Sequence, residues 1–170
     1  LDLPEKSYST KYYNLTKEQY KHYEKVANDD GTVTYTFKLR DAKWSDGTPV
    51  TAGDFVYTYR KLVNPKEGHV AQSADVFKNA KKIRSGELST EELGVKAIDD
   101  KTLEITLENP APYLPKLLTG SRFLPQSEKV ATEKGEGYGS TADSIVTNGP
   151  FKLEGWTGSE LSWKLVKNEG

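Results

Sequence analysis

Cysteine and methionine are absent from the 170-residue sequence, and only two histidines are present. Without cysteine the chain has no disulfide bond, no thiolate nucleophile and no cysteine-ligated metal. Neither His22 nor His69 stands in a nucleophile motif or beside an acidic partner at a recognisable spacing, so a Ser–His–Asp arrangement is not indicated. Two histidines without cysteine also argue against a transition-metal site. We therefore predict a protein that is not an enzyme and that has no catalytic residue, metal or cofactor.

The sequence also lacks a long apolar run and an excess of charge of one sign. Hydrophobic residues make up 35% of it and the net charge at pH 7 is −1, while a membrane-spanning helix needs about 20 consecutive apolar residues. Basic and acidic residues are interspersed, so we predict no nucleic-acid partner. We interpret the one basic cluster as the solvated face of a helix. It comprises Lys78, Lys81, Lys82 and Arg84.

The segment from Thr34 to Tyr57 predicts a strand, a tight turn and a capped helix in close succession. Apolar and polar residues alternate over residues 34–40, as in a half-buried strand. Residues 45–49 read Ser-Asp-Gly-Thr-Pro, a combination typical of a turn. Thr51 is placed to be the N-cap of the helix, with Asp54 as its capping-box partner. The predicted apolar face of this helix comprises Phe55, Tyr59, Leu62 and Val63.

Further along the chain, short helices mix with antiparallel strands. The first helix should end at Asn64, because proline disfavours helical geometry in the residue before it, and a second helix is predicted from Val70 to Ser85. The absence of a regular βαβ order predicts an α+β fold rather than a doubly wound sheet. Two short helices are predicted at Tyr113–Leu118 and Ser127–Lys134. Three hairpins are predicted: residues 23–26 with 32–40, Leu93–Ile98 with Thr102–Glu108, and Phe151–Trp156 with Leu161–Val166.

Two groups of residues that can carry function are better explained by folding. The acidic pairs Asp29–Asp30 and Asp99–Asp100 flank predicted hairpin turns, where aspartate hydrogen-bonds to the local backbone, so turn formation outweighs acid–base catalysis. The large aromatic residues lie in or beside predicted strands and helices, which indicates core positions rather than ligand contacts. This aromatic group comprises Trp44, Phe55, Tyr57, Trp156 and Trp163.

Four motifs follow one another along the chain. They are residues 35–57, which contain Trp-Ser-Asp-Gly, Pro-Val-Thr-Ala and Asp-Phe-Val-Tyr; residues 93–107, with Leu-Gly-Val-Lys-Ala and Thr-Leu-Glu-Ile-Thr-Leu; Pro110-Ala-Pro-Tyr113; and residues 146–153, Val-Thr-Asn-Gly-Pro-Phe-Lys-Leu. In this order and spacing they resemble the family 5 extracellular solute-binding proteins, the peptide-binding and oligopeptide-binding components of ABC importers. The resemblance runs from about Tyr23 to the last residue, and residues 1–20 carry no pattern that matches the family.

The resemblance implies a particular architecture. We expect a mixed sheet with flanking helices that forms part of lobe I of a type II (cluster C) periplasmic-binding-protein fold. Residues 1–170 are then a single domain, a fragment from the N-terminal lobe of a larger binding protein, with residues 1–20 irregular and residues 21–170 like the family. The absence of methionine, even at position 1, agrees with this expectation.

The same resemblance implies a substrate-binding component of an ABC transporter that captures extracellular oligopeptides for import. The implied partners are the oligopeptide ligand and the ABC permease subunits. We expect the parent to be a lipoprotein at the extracellular face of the bacterial cell membrane, or a periplasmic protein, and the fragment to be monomeric. Two alternatives stay open. One is a peptide-pheromone receptor on the same scaffold, and the other is a surface interaction or adhesion domain, which should expose an apolar patch away from the cleft.

Two segments are candidates for contact with a ligand. In peptide-binding members of the resembled family, the segment after the Asn64–Pro65 equivalent carries tyrosines, one of which contacts the peptide; here residues 69–77 contain no tyrosine. The segment Thr119–Phe123 is predicted to be an irregular turn between a helix and a short strand, and binding groups concentrate in such loops. Its Arg122 is either a bidentate partner for a carboxylate or an exposed surface arginine. The candidate ligand-binding residues are Ala71, Gln72, Ser73, Gly120, Ser121 and Arg122.

Overall fold

The structure is a computed structural model and describes residues 23–67 and 71–169. The predictions for His22, His69 and residues 1–20 lie outside the described residues. Within the described part, no helix combines the length and the apolar character that crossing a membrane requires. The strands are β1 (Tyr23–Ala27), β2 (Val33–Lys38), β3 (Val95–Asp99), β4 (Thr102–Leu107), β5 (Phe151–Glu154) and β6 (Lys164–Lys167). The α-helices are α1 (Ala52–Val63), α2 (Ala80–Arg84), α3 (Leu114–Leu117) and α4 (Glu128–Lys134).

Four strands form an antiparallel sheet in the order β1-β2-β4-β3, and β5 pairs with β6 in a separate two-stranded ribbon. The central strands β2 and β4 place Tyr35 opposite Ile105. The alternation in β4 turns Leu103, Ile105 and Leu107 into the core, where each is at most 3% exposed. All three predicted hairpins are present, and helices flank the sheet. The α+β fold class is therefore confirmed.

Helix α1 packs on the sheet next to β3 and β4 through its apolar face. Of the residues predicted for this face, Tyr59 and Val63 are fully buried, whereas Phe55 and Leu62 are partly buried. The ring of Tyr59 lies 5.3 Å from that of Phe77, centroid to centroid. Burial also raises the pKa of the Tyr59 phenol, which keeps it neutral. Removing each such large apolar side chain from water contributes about 1.5–3 kcal/mol to the free energy of unfolding.

Both predicted ends of α1 are confirmed. The backbone of Thr51 is extended, and Thr51 and Asp54 form a capping box in which Thr51 N donates to Asp54 Oδ2 at 2.9 Å. At the other end, Asn64 has left helical geometry immediately before Pro65. Local sequence signals therefore define this helix at both termini.

The single helix predicted from Val70 to Ser85 is wrong. Val70 lies outside the described residues, and the described part forms a 3₁₀ turn at Gln72–Val76 followed by α2. Between the turn and the helix the chain joins the sheet. Phe77 forms a bridge with Leu107, and Lys78 N donates to Thr106 O at 2.9 Å. These backbone contacts with β4 replace the hydrogen bonds that a continuous helix would make.

Gly94 permits this close approach of three backbone segments. Gly94 N donates to Lys78 O at 2.9 Å, and Thr106 N donates to Gly94 O at 2.7 Å. A Cβ atom at position 94 would lie 2.7 Å from Lys78 Cβ and 2.7 Å from Thr106 O. Any other residue would have to push the segments apart, so the chain requires glycine where residue 78 meets the sheet.

The prediction of core positions for the aromatic residues is confirmed for Trp44 and wrong for Trp163. Trp44 is buried, whereas Trp163 is 55% exposed beside β6. Trp156 is half-buried, and its Nε1 donates to Ser140 O at 3.1 Å. The reason for the error is that no layer of the described residues covers the ribbon, so the apolar alternation there has nothing to pack against. Phe55 and Tyr57 are half-buried.

The strand predicted after Thr119–Phe123 is absent. Residues 121–123 form a 3₁₀ turn, and residues 124–127 pair with no strand in the described chain. Instead, Gln126 N donates to Thr58 Oγ1 at 2.9 Å, so this stretch is held by a side chain of α1. A side-chain acceptor on the helix thereby replaces the backbone partner that a strand would have.

One member of each acidic pair has the predicted turn role. Asp30 Oδ1 accepts from Thr32 N at 3.0 Å, and Asp99 Oδ1 accepts from Lys101 N at 2.8 Å. The basic cluster is only partly a solvated helix face. Lys81 and Lys82 are exposed on α2, but Lys78 precedes the helix and lies 3.5 Å from Asp30, and Arg84 lies 3.0 Å from Asp75.

Candidate functional site

A groove of about 350 Å³ lies between the turn at Gln72–Val76 and the segment that joins β4 to α3. We call it the Gln72 groove. Two of the predicted ligand-binding residues, Gln72 and Ser73, line it with exposed side chains. The other polar residues that line it include Asp75, Lys81, Glu108 and Tyr113.

Both walls of the Gln72 groove are attached to the core by backbone hydrogen bonds. Ala71 N donates to Leu62 O at 2.9 Å, which ties the turn to α1. Ala71 is itself buried, so its side chain does not line the groove. On the other wall, Leu114 N donates to Ala111 O at 3.0 Å, and both of these residues are buried. The polar side chains of the groove therefore project from a fixed frame, as binding groups on loops commonly do.

The charged groups of the groove differ in whether they already have partners. Asp75 Oδ1 lies 3.0 Å from Arg84 Nη1, and Glu108 Oε2 accepts from Asn79 N at 3.1 Å. Lys81, in contrast, is exposed and forms no ion pair with any residue in the described ranges. The groove thus combines one free cation with the neutral donors and acceptors of glutamine, serine and tyrosine side chains. This combination suits a polar ligand with several carbonyl or carboxylate oxygens.

The second predicted segment lies beside the groove and does not line it. Gly120 N donates to the carbonyl of Leu117, a groove residue, at 3.0 Å. Phe123 is buried, and its ring lies 6.0 Å from that of Phe77, centroid to centroid. The two predicted segments therefore meet at their buried ends, while their polar residues occupy separate surfaces. The exposed residues of the second segment are Gly120, Ser121 and Arg122.

Sequence reasoning did not identify Tyr113 and Lys81 as groove residues. Tyr113 is 59% exposed and ends the Pro110-Ala-Pro-Tyr113 motif, which we used as a family motif and not as a source of ligand contacts. A tyrosine that follows two prolines was the available signal, because tyrosine is a frequent anchor in binding surfaces. Lys81 carried no sequence signal that distinguishes it from its exposed neighbour Lys82.

The residues around the turn at positions 45–49 stabilise the packed core and do not line the Gln72 groove. Asp54 is buried, and its Oδ2 accepts from Thr51 N at 2.9 Å and from Trp44 Nε1 at 3.2 Å. Its Oδ1 accepts from Glu128 N at 3.0 Å. One carboxylate thereby joins the turn, the start of α1 and the start of α4. Hydrogen bonds to an ionised acceptor are stronger than neutral ones, which makes Asp54 the main polar link of the unit.

The same turn holds the segment that leads into the ribbon. Ser45 N donates to Thr147 O at 2.8 Å, and Thr147 N donates to Ser45 Oγ at 3.2 Å. Beyond the ribbon, Asn168 N donates to Pro150 O at 2.9 Å. The first and fourth sequence motifs, 102 residues apart at this contact, are therefore adjacent in space.

The chain is similar to a known protein family and to curated proteins over most of its length. The model of the bacterial extracellular solute-binding proteins, family 5 Middle, matches residues 15–170. The oligopeptide-binding protein OppA of Bacillus subtilis is 37% identical over 147 residues, which is 85% of this chain and 27% of that protein. The periplasmic oligopeptide-binding protein OppA of Salmonella typhimurium is 40% identical over 148 residues, 81% of this chain and 26% of that protein. The chain thus spans about a quarter of the length of these relatives.

Solved structures of similar proteins cover the same region. Listeria monocytogenes OppA bound to peptide superposes with a TM-score of 0.76 at 46% identity, over 86% of this chain and 29% of that one. The pheromone receptor PrgZ, described with its mode of peptide binding, superposes with a TM-score of 0.74 at 39% identity, over 86% of this chain and 29% of that one.

Proposed function

This chain belongs to family 5 of the bacterial extracellular solute-binding proteins, and we propose that it forms part of a receptor that captures extracellular oligopeptides for import by an ABC transporter. Its fold is that of a part of the OppA-type periplasmic binding proteins. In binding proteins of this kind a ligand is enclosed by hinge closure of two lobes. Residues 1–170 then form a single domain within the N-terminal lobe, and the role of the chain is binding without catalysis.

The observation that carries this proposal is the Gln72 groove. A peptide main chain offers an N–H donor and a carbonyl acceptor at each residue, apart from proline. The side chains of Gln72 and Ser73 both donate and accept, so they fit such a ligand without selecting its side chains. Lys81 adds a cation that suits a peptide carboxylate. Two uncharged bifunctional groups and one free cation on a fixed wall therefore favour a peptide as the ligand.

The groove is suited to one side of a ligand only. Its volume of about 350 Å³ is near the lower end of the roughly 300–1,000 Å³ typical of small-molecule sites. An oligopeptide would therefore need further contacts, and we propose that a second lobe of the parent provides them. Gly120, Ser121 and Arg122 stand beside the groove, where they could meet a longer ligand or the opposite lobe. The exposed apolar side chains of the ribbon support this proposal, because they suit packing against more protein; they are Phe151, Trp163 and Leu165.

Localisation and partners follow from the same proposal. The matching family is described as extracellular, and the Salmonella typhimurium relative as periplasmic. We propose that the parent acts outside the cytoplasmic membrane, as a lipoprotein at the extracellular face or as a periplasmic protein. There it would deliver peptides to the permease subunits of the transporter.

Peptide-pheromone reception is the second candidate function. The likeness to the pheromone receptor PrgZ favours it, and the chemistry of the groove is the same for a nutrient peptide and a signal peptide. The interaction-domain alternative is also compatible with the exposed ribbon, although it assigns no role to the groove. A binding experiment that depends on the groove therefore separates it from both receptor functions.

We suggest testing the proposal in a chimera in which residues 23–169 replace the matching segment of Listeria monocytogenes OppA. Peptide affinity would be measured by calorimetry with the peptide bound in that structure and with a mixture of short peptides. The variant Ser73→Trp fills the groove, and Lys82→Trp places the same side chain on an exposed position of α2 outside it.

We expect the folded chimera to bind peptide and Ser73→Trp to weaken binding at least tenfold, about 1.4 kcal/mol, while Lys82→Trp has no effect. A folded chimera that binds no peptide, or equal affinities for the two variants, would contradict the proposal. Binding of one defined signal peptide in preference to the mixture would favour pheromone reception.

A further inference from the structure

Three positions in the sequence place an aspartate or an asparagine directly before a glycine. They are Asp30–Gly31, Asp46–Gly47 and Asn148–Gly149. In such a pair the glycine amide nitrogen can attack the side-chain carbonyl carbon and close a five-membered imide ring, because glycine has no Cβ atom to hinder the approach. The attack requires a side chain that is free to turn back on the chain and a glycine N–H that is not already hydrogen-bonded. The structure distinguishes the three pairs on both requirements.

The two aspartate pairs are held in turns. In each, the aspartate Oδ1 accepts from the backbone N–H two residues further on, at 3.0 Å for Asp30 and 2.9 Å for Asp46. In each, the glycine N–H donates to a carbonyl three residues earlier, at 3.1 Å for Gly31 and 2.8 Å for Gly47. Aspartate is also ionised at neutral pH, and an ionised carboxylate is a poor electrophile. Both pairs are therefore protected from ring closure.

The pair Asn148–Gly149 meets both requirements. Both residues are exposed, and the Asn148 side chain forms no hydrogen bond with residues 23–67 or 71–169. The Gly149 N–H likewise donates to no described residue. The uncharged side-chain amide is the better electrophile, and its leaving group is ammonia. Asn64 and Asn109 cannot react in this way, because each precedes a proline, which has no N–H.

The residues on either side of this pair are anchored. Thr147 N donates to Ser45 Oγ at 3.2 Å, which ties one side to the four-stranded sheet with α1 and α4, the packed unit. On the other side, Asn168 Nδ2 donates to Gly149 O and Asn168 N donates to Pro150 O, both at 2.9 Å. The reactive pair therefore lies in the connection between the packed unit and the ribbon, and the length of this connection is fixed at both ends.

We propose that Asn148 is a site of spontaneous deamidation and isomerisation, and that the reaction detaches the ribbon from the packed unit. Gly149 N loses its proton and forms a bond to Asn148 Cγ, and the side-chain nitrogen leaves as ammonia. Water then opens the imide at one of its two carbonyl carbons. Opening at Cγ gives aspartate, and opening at the main-chain carbonyl carbon gives isoaspartate, in which the main chain runs through Cβ and Cγ.

Isoaspartate is the product that matters for the fold. It adds one carbon atom to the main chain between Thr147 and Gly149, so the hydrogen bonds on the two sides can no longer all be kept. Aspartate adds a charge and leaves the main chain as it is. The site is separate from the Gln72 groove and does not depend on the function proposed for it.

The proposal can be tested by incubating the 170-residue chain at neutral and at mildly alkaline pH. Isoaspartate is quantified by methyl transfer from S-adenosylmethionine with protein isoaspartate methyltransferase and located by peptide mass spectrometry. A free peptide with the sequence of residues 145–152 and blocked ends gives the reference rate. The variant Gly149→Ala adds a methyl group that hinders ring closure. It should keep the fold, because a Cβ atom at position 149 would meet no atom within 4 Å.

We expect isoaspartate to accumulate at position 148 at about the rate of the free peptide, and faster at the higher pH because the attacking nitrogen must lose its proton. At positions 30 and 46, and in Gly149→Ala, it should form at least about tenfold more slowly. An intact Asn148 under conditions in which the free peptide reacts would overturn the proposal. So would equal rates at the three pairs, or an unchanged rate in Gly149→Ala.

Detachment of the ribbon is measured by nuclear magnetic resonance on the ¹⁵N-labelled chain after incubation. The isoaspartate form should shift the amide signals of Ser45, β5 and β6 and leave those of β2 and β4 in place. Asn148→Asp is the matched control, because it adds the charge without the extra main-chain carbon, and it should keep the ribbon signals of the unchanged chain. Unchanged ribbon signals in the isoaspartate form, or the same shifts in Asn148→Asp, would overturn the proposed detachment.

Discussion

The β3–β4 hairpin and the β5–β6 ribbon are built from similar sequences and end in different environments. Both are antiparallel pairs of four- to six-residue strands with large apolar residues. In β4, Ile105 is completely buried, whereas Leu165 in β6 is 58% exposed. Helix α1 packs against the first hairpin, whereas the second contacts a short 3₁₀ turn at Ala142–Ser144 that leaves Leu165 exposed. Alternating apolar residues thus specify a strand, but only a neighbouring element makes one of its faces a core.

The two regions also differ in what holds them in place. The sheet is fixed by apolar burial beneath α1, and by the Asp54 carboxylate that joins the helix starts to the turn. The ribbon is attached through hydrogen bonds of its flanking segments, such as Ala142 N to Trp156 O at 2.7 Å and Ser45 N to Thr147 O at 2.8 Å. A two-stranded ribbon without a packed face is marginally stable by itself, so we expect it to be the weaker region of this chain.

The largest difference between the regions should appear when one large apolar side chain is removed from each. Ile105→Ala should lower the free energy of unfolding by about 2–5 kcal/mol, because it leaves a cavity in the core. Leu165→Ala should change it by less than about 0.5 kcal/mol, as for other exposed positions. Urea denaturation followed by circular dichroism measures both. If Leu165→Ala cost as much as Ile105→Ala, the ribbon would be covered in solution and the comparison would be wrong.

Removing one carboxylate charge from each region gives the next largest contrast. Asp54→Asn should lower the free energy of unfolding by about 2–3 kcal/mol, because a buried hydrogen bond to a charged group contributes about 1.5–3 kcal/mol. Glu154 in β5 lies 3.3 Å from Lys152 at the surface, and Glu154→Gln should cost less than about 1 kcal/mol. The same denaturation experiment applies. A cost below 1 kcal/mol for Asp54→Asn would show that its hydrogen bonds are not a main link.

A smaller contrast concerns two glycines with positive φ. Gly47 has φ of 85° and Gly155 has φ of 78°, and a Cβ atom at either position would meet no atom within 4 Å. Replacement by valine therefore costs backbone strain alone, about 1–2 kcal/mol. Gly47→Val should lower the global unfolding midpoint, since the Gly47 turn belongs to the packed unit. Gly155→Val should perturb amide signals of the ribbon and leave the midpoint unchanged; equal midpoint shifts would mean that the two regions unfold together.

The smallest expected effect is the acid dependence of the β3–β4 turn. The backbone N–H of Lys101 and then the hydroxyl of Thr102 hold the pKa of Asp99 below its ordinary value, which is about 3.9. A carboxyl whose folded pKa is lowered stabilises the fold above that ordinary value and loses this contribution as the pH falls through the lowered one. Stability should therefore decrease below about pH 4, and Asp99→Asn should make the decrease shallower in denaturation curves recorded at several pH values.

Asp100→Asn is the matched control for this change, because the Asp100 side chain forms no hydrogen bond or ion pair with residues 23–67 or 71–169. It should leave the acid dependence as it is in the unchanged chain. An equal effect of the two substitutions would refute the turn-specific explanation.

Elements defined by their own residues could be predicted from the sequence. The capping box of Thr51 and Asp54, and the cap of α4, where Val130 N donates to Ser127 Oγ at 3.4 Å, depend on residues three apart. The turn role of Asp99 is local in the same way. Such interactions span three or fewer residues and are readable as patterns. Gln72 and Ser73 could be proposed only from the resemblance to a family, and their place in a groove depends on partners elsewhere in the chain.

What the sequence by itself determined was the class of fold and the termini of its best-formed helix, because short-range hydrogen bonds and apolar periodicity encode these properties. The family was indicated by the resemblance of four ordered motifs and not by periodicity. Only the tertiary structure decided that Phe77 joins the sheet instead of continuing a helix, and that Trp163 lies exposed instead of in a core. Both outcomes depend on whether another segment is available for pairing or packing. Phe77 pairs with Leu107, whereas among the described residues nothing buries Trp163. The physical reason is that burial and backbone pairing are properties of two segments, whereas periodicity is a property of one.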